Sequence, residues 1–259
     1  MQKLSIGLVG YGSWGKKLFK ALQKTRSINT VALCDTSHQA IDELGPLRSG
    51  IKFITNKYQE FLSSKDIDAV VVATPADTHY QIAMDSLKAG KHVLLEKPMT
   101  LDKTQARMLY KLADKKKLIL MVDHTYLYAP EIRVAKQMID SGSLGNIRLI
   151  EITRVGPGQY KNDCDVIWDF APHDLSILYY LRGIPIELSA MNSSHLSRYH
   201  IDVSNIYFKF VDGCEARVHL SWLSPIKIRK ILAVGSKKTL LLEQYNTNTK
   251  IHIYPNAYY

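Results

Sequence analysis

The sequence has only three cysteines, Cys34, Cys164 and Cys214, and they are far apart in the chain. A disulfide framework or a zinc site needs cysteines in paired spacings and usually in even numbers. We therefore expect neither disulfides nor a bound metal. Unpaired cysteines favour a reducing compartment, so we expect a cytoplasmic protein.

Long apolar segments are also missing. No run approaches the ~20 apolar residues that a membrane-spanning helix needs, so no membrane partner is expected. The first residues, MQKLSIGLVGYG, contain a short apolar run with no small-residue cleavage site behind it, and we interpret them as a strand, not a signal peptide. The sequence contains no internal repeats and no low-complexity segments.

Acidic residues are fewer than basic ones: 24 Asp and Glu stand against 34 Lys and Arg, which gives a formal net charge of +10. A basic chain suits a nucleic acid or an anionic small substrate. No nucleic-acid-binding pattern is present, however, and the lysines at 115–117 fall at a predicted helix end, where cations are favoured anyway. We therefore expect a lysine-rich solvated surface and no nucleic-acid partner.

The two halves of the chain have different patterns. Residues 1–123 alternate apolar runs with helix-like segments, which predicts a doubly wound parallel sheet of the Rossmann type. Residues 124–259 contain helix-like segments at 130–142 and 170–182 and a series of strand-like runs. This second pattern predicts an α+β domain with a mostly antiparallel, open sheet. We expect the first domain to bind NAD(P) and the second to bind substrate and form the oligomer.

The segment GYGSWG at the end of the first apolar run matches the G-x-G-x-x-G pattern. It follows a predicted strand and opens a predicted helix, which is the context that a dinucleotide-binding turn requires. Gly10 would make the turn, Gly12 would admit the pyrophosphate and Gly15 would let helix and strand pack closely. Ser13 and Trp14 would lie at the helix N-terminus, which favours anions. The alternative is a glycine-rich turn without a ligand.

Asp35 ends the next strand, VALCD. A carboxylate at this place accepts hydrogen bonds from the ribose hydroxyls and repels a 2′-phosphate, which favours NAD over NADP. Nearby lysine or arginine side chains would still allow NADP. The alternative role is N-cap of the following helix, which Thr36 or Ser37 would fill equally well.

Two further strands end abruptly on polar residues next to a proline, at Thr74-Pro75 and at Glu96-Lys97-Pro98. The carboxyl ends of strands in an open α/β sheet face the ligand crevice. Pro98 restrains Lys97 to an extended conformation, which would give its side chain a defined direction. An exposed loop lysine is the alternative, and the flanking Glu96 and Pro98 speak against it.

In the second domain, Asp169 and His173 are four residues apart in WDFAPHDL. If Pro172 lies in the first turn of a helix, both side chains project from one face. A carboxylate beside an imidazole fixes its tautomer and raises its basicity, an arrangement typical of a general base. The alternative is that Asp169 caps the helix and His173 is solvated.

Taken together, GLVGYGSWG, the TP-x-x-x-H of Thr74 to His79, the EKP of Glu96 to Pro98 and the D-x-x-x-H of Asp169 to His173 resemble the Gfo/Idh/MocA oxidoreductases. This is the glucose–fructose oxidoreductase and inositol dehydrogenase family. The resemblance implies cofactor contacts from the residues after the predicted strands, namely Thr74, Pro75, His79, Glu96 and Lys97. Residues 156–178 and 221–238 look closest to dehydrogenases that act on UDP-linked N-acetylhexosamine uronates.

The resemblance also implies catalytic roles and an assembly. Lys97 would touch the nicotinamide ribose and the substrate hydroxyl, and His173 would move the hydroxyl proton with Asp169 beside it. Tyr160 and Asn162 would help to hold the sugar. Members usually form dimers or tetramers through the open face of the second sheet, so a homodimer or homotetramer is expected.

The chain departs from the family in two ways. Ala76 stands where members usually have asparagine, and members are commonly longer than these 259 residues, so the last strands and the closing helix are expected to be missing or replaced. Arg133, Arg154 and Lys161 are candidates for binding a diphosphate. The leading hypothesis is hydride transfer between NAD and a hydroxyl-bearing carbon of a sugar or sugar nucleotide. The alternatives are an NAD-dependent glycosidase and a non-catalytic NAD-binding protein.

Overall fold

The computed structural model describes residues 3–157, 164–196, 200–243 and 250–256. The chain divides into two compact units, residues 1–123 and residues 124–259. Each unit has its own sheet.

The amino-terminal unit is a six-stranded sheet in the order β3-β2-β1-β4-β5-β6, and all of its strand pairs are parallel. The strands are β1 (Leu4–Val9), β2 (Ile28–Cys34), β3 (Phe53–Thr55), β4 (Ala69–Val72), β5 (His92–Leu95) and β6 (Leu120–Val122). The helices are α1 (Ser13–Lys24), α2 (His38–Asp42), α3 (Gln59–Leu62), α4 (His79–Lys88) and α5 (Lys103–Lys116). The chain leaves β1 on one side and returns to β4 on the other, which places a topological switch point between these two strands.

This sheet is covered on both faces. One cluster of buried apolar side chains includes Leu8, Phe19 and Leu33, and another includes Val70 and Leu87. Strands buried on both faces read as continuous apolar runs, as in the fully buried AVVV of β4. This packing matters because the loops that follow these buried strands carry the predicted site residues.

The carboxyl-terminal unit has a seven-stranded sheet in the order β13-β12-β11-β7-β10-β9-β8. All of its strand pairs are antiparallel except β7 with β10. Its helices are α6 (Pro130–Asp140) and α7 (Val166–Arg182). Its strands are β7 (Ile147–Val155), β8 (Glu187–Ser193), β9 (Val203–Lys209), β10 (Glu215–Ser221), β11 (Ile228–Gly235), β12 (Lys238–Glu243) and β13 (Ile251–Pro255).

Helix α7 packs against β7, β9 and β10, and α6 packs against α7, so both helices serve one apolar core. The β9–β10 hairpin turns at Asp212-Gly213, where Gly213 has a φ of 81° that favours glycine. The predicted fold class, a Rossmann sheet followed by an α+β unit with a mostly antiparallel sheet, is therefore confirmed.

Helix α7 begins earlier than predicted. It starts at Val166, and its N-cap is Asp165, whose Oδ1 accepts hydrogen bonds of 3.0 Å from the backbone N–H groups of Ile167 and Trp168. Pro172 therefore lies inside the helix and not in its first turn, so that expectation was wrong. The alternative role of Asp169 as N-cap is also excluded.

Candidate active site

The glycine-rich turn lies at the switch point of the parallel sheet. Gly10 has a φ of 95°, and a Cβ there would lie 2.5 Å from the carbonyl oxygen of Ala73. A Cβ on Gly15 would lie 2.1 Å from the carbonyl oxygen of Gly10. A Cβ on Gly12 would meet no heavy atom of the described residues within 4 Å. Gly10 therefore makes the turn, Gly15 lets helix and strand pack closely, and Gly12 leaves space for a ligand to approach, as their spacing predicts.

Helix α1 begins directly after Gly12, and neither a side-chain cap nor an acidic residue occupies its first turn. Its first N–H groups and its dipole therefore favour an anion. This donor set, together with the open space at Gly12, fits the pyrophosphate of a dinucleotide.

Asp35 follows β2 and is tied to the glycine-rich turn. Its Oδ2 accepts a hydrogen bond of 2.6 Å from the backbone N–H of Tyr11, and its Oδ1 accepts one of 2.8 Å from Ser37. Ser37 itself is the N-cap of α2, so the alternative role of Asp35 as that cap is excluded. The predicted contact of Asp35 with a ribose stays a prediction.

Three side chains meet at the carboxyl ends of β5 and β6. The indole Nε1 of Trp14 donates to Glu96 Oε1, the backbone N–H of Lys97 donates to Glu96 Oε2 at 3.2 Å, and Asp123 hydrogen-bonds the same carboxyl. Burial and the adjacent Asp123 raise the pKa of Glu96 to about 8, although the bonds from Trp14 and Lys97 partly oppose this. Glu96 therefore keeps its proton near neutral pH.

Replacing Asp123 by asparagine should make unfolding less sensitive to alkali. The pKa of Glu96 is above its ordinary 4.5 in the folded protein, so the folded state holds a proton that the unfolded chain releases. The free energy of unfolding therefore falls as the pH rises from about 4.5 to about 8. The amide removes the repelling charge and lowers the pKa of Glu96. We expect wild type to lose roughly 2–6 °C more of Tm than D123N between pH 5 and pH 9.

Thermal melts of both proteins across this pH range would test this expectation. Trp14→Phe is the matched control, because it removes a donor from Glu96 and should steepen the loss. Parallel curves for wild type and D123N would contradict the influence of Asp123 on the pKa of Glu96.

In the carboxyl-terminal unit, Asp169 and His173 lie one turn apart on α7, as predicted. The ring of His173 packs edge-on against Tyr126, with 4.8 Å between ring centroids. Tyr126 belongs to a short 3₁₀ segment, Thr125–Tyr128, that packs against α7. The histidine ring is thus held by packing, as a positioned base requires.

Two arginines surround Tyr126. The guanidinium of Arg154 lies 4.8 Å from the ring centroid and that of Arg229 lies 5.4 Å from it, and Arg229 Nη1 donates to the phenol oxygen. These arginines are directly opposite each other on β7 and β11. Tyr126, which packs against His173, is thus in contact with two guanidinium groups.

Arg154 and Asp174 form a buried, two-point ion pair. Arg154 Nε donates to Asp174 Oδ2 at 2.7 Å and Nη2 donates to Oδ1 at 2.8 Å, and the side chains are 3% and 2% exposed. Burial alone would lower the pKa of Arg154, but the carboxylate more than offsets this and raises it. Arg154 is thus committed to Asp174, and its candidacy for binding a diphosphate is not supported.

For four other predicted residues the structure gives little or no information. Tyr160, Asn162 and Lys161 lie outside the described residues. Arg133 places its guanidinium 5.4 Å from the ring of Tyr128. Sequence reasoning missed Tyr126, Arg229, Asp174 and Asp123, because no local motif or spacing marks them and their contacts are long-range.

The described residues show no cluster of His, Cys, Asp or Glu that would hold a metal ion. The three cysteines, all within the described part of the chain, form no disulfide with one another. Among the helices of the described part, none has the length and apolar character to cross a bilayer.

A parallel sheet in this strand order, with a glycine-rich turn at its switch point, defines a dinucleotide-binding Rossmann fold. The family model for oxidoreductases with an NAD-binding Rossmann fold matches residues 4–124, and the model for the GFO/IDH/MocA C-terminal domain matches residues 132–241. The chain belongs to the Gfo/Idh/MocA oxidoreductase family. This confirms the predicted family and the predicted cofactor, NAD.

Individual relatives support this membership. The inositol 2-dehydrogenase of Rhizobium meliloti is 29% identical over 192 residues, which cover 71% of this chain and 57% of that protein. The UDP-N-acetylglucosamine 3-dehydrogenase of Acidithiobacillus ferrooxidans is 34% identical over 128 residues, which cover 49% of this chain and 40% of that protein. The chain spans about half the length of the curated relatives it matches.

Among solved structures, the WlbA dehydrogenase of Bordetella pertussis in complex with NADH and UDP-GlcNAcA superposes with a TM-score of 0.89. It is 22% identical, and the match covers 98% of this chain and 81% of that one. At this identity the likeness concerns the fold.

Proposed function

We propose that the protein transfers hydride between NAD and a hydroxyl-bearing carbon of an anionic sugar nucleotide, with a UDP-linked N-acetylhexosamine or its uronate as the leading substrate. The observation that carries this proposal is the placement of His173 against Tyr126, whose ring and hydroxyl are in contact with the guanidinium of Arg229. Similarity to the UDP-N-acetylglucosamine 3-dehydrogenase supports the same substrate class.

Bound NAD would accept or supply the hydride. The protein would hold the reactants, stabilise the charge on the hydroxyl oxygen and move the hydroxyl proton. In oxidation, Lys97 would stabilise the negative charge that develops on the hydroxyl oxygen, and His173 would take its proton at a ring nitrogen. Asp169, on the same face of α7, would support the protonated imidazole.

An absorbance assay of reduced nicotinamide tests the proposal. NAD and NADP would each be offered with UDP-hexosamines, UDP-uronates, free inositols and simple hexoses. We expect turnover with NAD and a UDP sugar. Cofactor that stays bound and shows no net absorbance change while a glycosidic bond is cleaved would favour the glycosidase alternative. NAD binding without turnover on any sugar would favour the non-catalytic one.

Replacing His173 by alanine should lower turnover by about 10²–10⁴-fold, because positioned acid–base catalysis contributes that much. Binding of NAD, measured by titration, should change little. His219→Ala is a matched control: this imidazole lies on β10 of the same unit and bonds Asn205 at 2.8 Å. Full activity of His173→Ala would contradict the assignment.

The resemblance further implies an assembly of two or four chains through the open face of the second sheet. This stays a proposal, and light scattering on the purified chain would decide it.

A further inference from the structure

His79 is buried at the first turn of α4 and lies between the loops that follow β4 and β5. Only 1% of the residue is exposed. Its Nδ1 is 2.7 Å from the carbonyl oxygen of Pro98, and its Nε2 is 2.9 Å from that of Thr74. Burial leaves this ring almost no surface for a ligand, so the predicted direct contact with the cofactor does not fit its position.

Both partners of the ring are backbone carbonyl oxygens, which only accept hydrogen bonds. A neutral imidazole has one N–H and one lone pair, so it can satisfy only one of the two. The imidazolium has two N–H groups and satisfies both. The shorter contact, to Pro98, is the better place for the single proton of the neutral ring.

The link to Pro98 acts directly on Lys97, the preceding residue. On its other side, the backbone N–H of Lys97 donates to Glu96 Oε2 at 3.2 Å. Lys97 thus lies between two anchors, the Glu96 carboxyl and the ring of His79.

We propose that His79 is the positioning residue for Lys97: it donates Nδ1–H to the carbonyl oxygen of Pro98, and on protonation its Nε2–H closes a second link to Thr74. The proposal rests on the proposed role of Lys97. It assigns the histidine of the TP-x-x-x-H motif to the loops of the site and not to the cofactor.

The surroundings of His79 determine the pH at which the second link forms. Burial, the largest influence, lowers the pKa of His79 below its ordinary 6.5, whereas the two carbonyl contacts raise it. Of the charged groups in the described chain that act on the ring, Asp77 raises this pKa and Lys97 lowers it. The ring is therefore neutral at pH 7, and the second link should form only on acidification.

The proton on the wild-type ring can be read directly. In protein labelled with ¹⁵N-histidine, with the His79 signals assigned by their loss in a variant, we expect Nδ1 to be protonated at pH 7. Nε2 should gain its proton only at acid pH. A neutral ring that carries its proton on Nε2 would overturn the proposal, because no N–H would then face Pro98. This readout does not depend on turnover, so it stands apart from the proposed function.

Two amide variants separate the two links. The side-chain N–H of His79→Asn replaces Nδ1–H and faces Pro98, whereas that of His79→Gln replaces Nε2–H and faces Thr74. We expect kcat of H79N to exceed that of H79Q by about ten-fold or more, since small misplacements of catalytic groups are costly, with similar Kd for NAD.

Equal kcat values for the two variants, in proteins with matched Tm, would overturn the positioning role while leaving the proposed function intact. Absence of turnover in wild type on every sugar would instead sink the proposed function, and the ring protonation would still decide the first link.

Discussion

Lys97→Ala is expected to abolish most turnover, with a fall in kcat of at least about 10²–10⁴-fold. In the proposed mechanism, the change removes a cation from the place where negative charge develops, and preorganised charge is usually the largest single contribution to catalysis. A loss of this size corresponds to roughly 3–5 kcal/mol in the activation free energy. Since Lys97 is half-buried with its backbone held by Glu96, the fold should tolerate the truncation.

Two controls make this result specific. Lys97→Arg keeps a positive charge on a larger, differently shaped group, so it should recover part of kcat. Lys103→Ala removes an exposed lysine at the start of α5 and should leave activity unchanged. If Lys97→Ala kept full kcat and KM, Lys97 would be an ordinary loop lysine. His79 would then have no catalytic residue to position.

The fold was largely predictable because local patterns agree with it. Buried parallel strands read as apolar runs, and the alternation of strand and helix leaves few topologies. The prediction missed β3, Phe53–Thr55, because three residues are too few to show a period. It also placed the start of α7 too late, since Pro172 was taken as a first-turn residue although Asp165 caps the helix.

The site was predictable only where a motif carries it. Gly10, Gly12 and Gly15 have the geometry that their spacing indicated. By contrast, the hydrogen bond between Trp14 and Glu96 joins residues 82 positions apart, and the sequence around each of them gives no sign of it.

The arginine cluster depends on strand register, which the sequence does not reveal. Arg154 and Arg229 are opposed only because β7 and β11 pair in one particular register. Sequence reasoning could name Arg154 as a cation but could not see that Asp174, next to His173, already neutralises it.

The second large effect is expected from breaking the buried ion pair between Arg154 and Asp174. Asp174→Asn should lower the free energy of unfolding by about 3–5 kcal/mol, because it leaves the guanidinium of Arg154 buried without its counter-charge. Like charges directly opposite on neighbouring strands are unfavourable, so Arg229 should add to the loss. In a chain of this size the Tm should fall by on the order of 10 °C. Urea unfolding and thermal melts would measure both quantities.

An exposed pair provides the matched control for the same chemical change. Glu187 and Lys209 lie 3.2 Å apart with side chains 65% and 57% exposed, so Glu187→Gln should change stability by less than about 1 kcal/mol. A loss in Asp174→Asn no larger than in this control would show that water or a neighbouring group compensates Arg154.

A double variant separates stability from function at the same place. Arg154→Met with Asp174→Leu removes both charges and keeps apolar volume, so most of the lost stability should return. Arg154 also stacks on Tyr126, which packs against His173, and the double variant lacks that guanidinium. We therefore expect the double variant to be folded but to have a raised KM for an anionic substrate. A folded double variant with unchanged KM would show that Arg154 does not contribute to substrate binding through its contact with Tyr126.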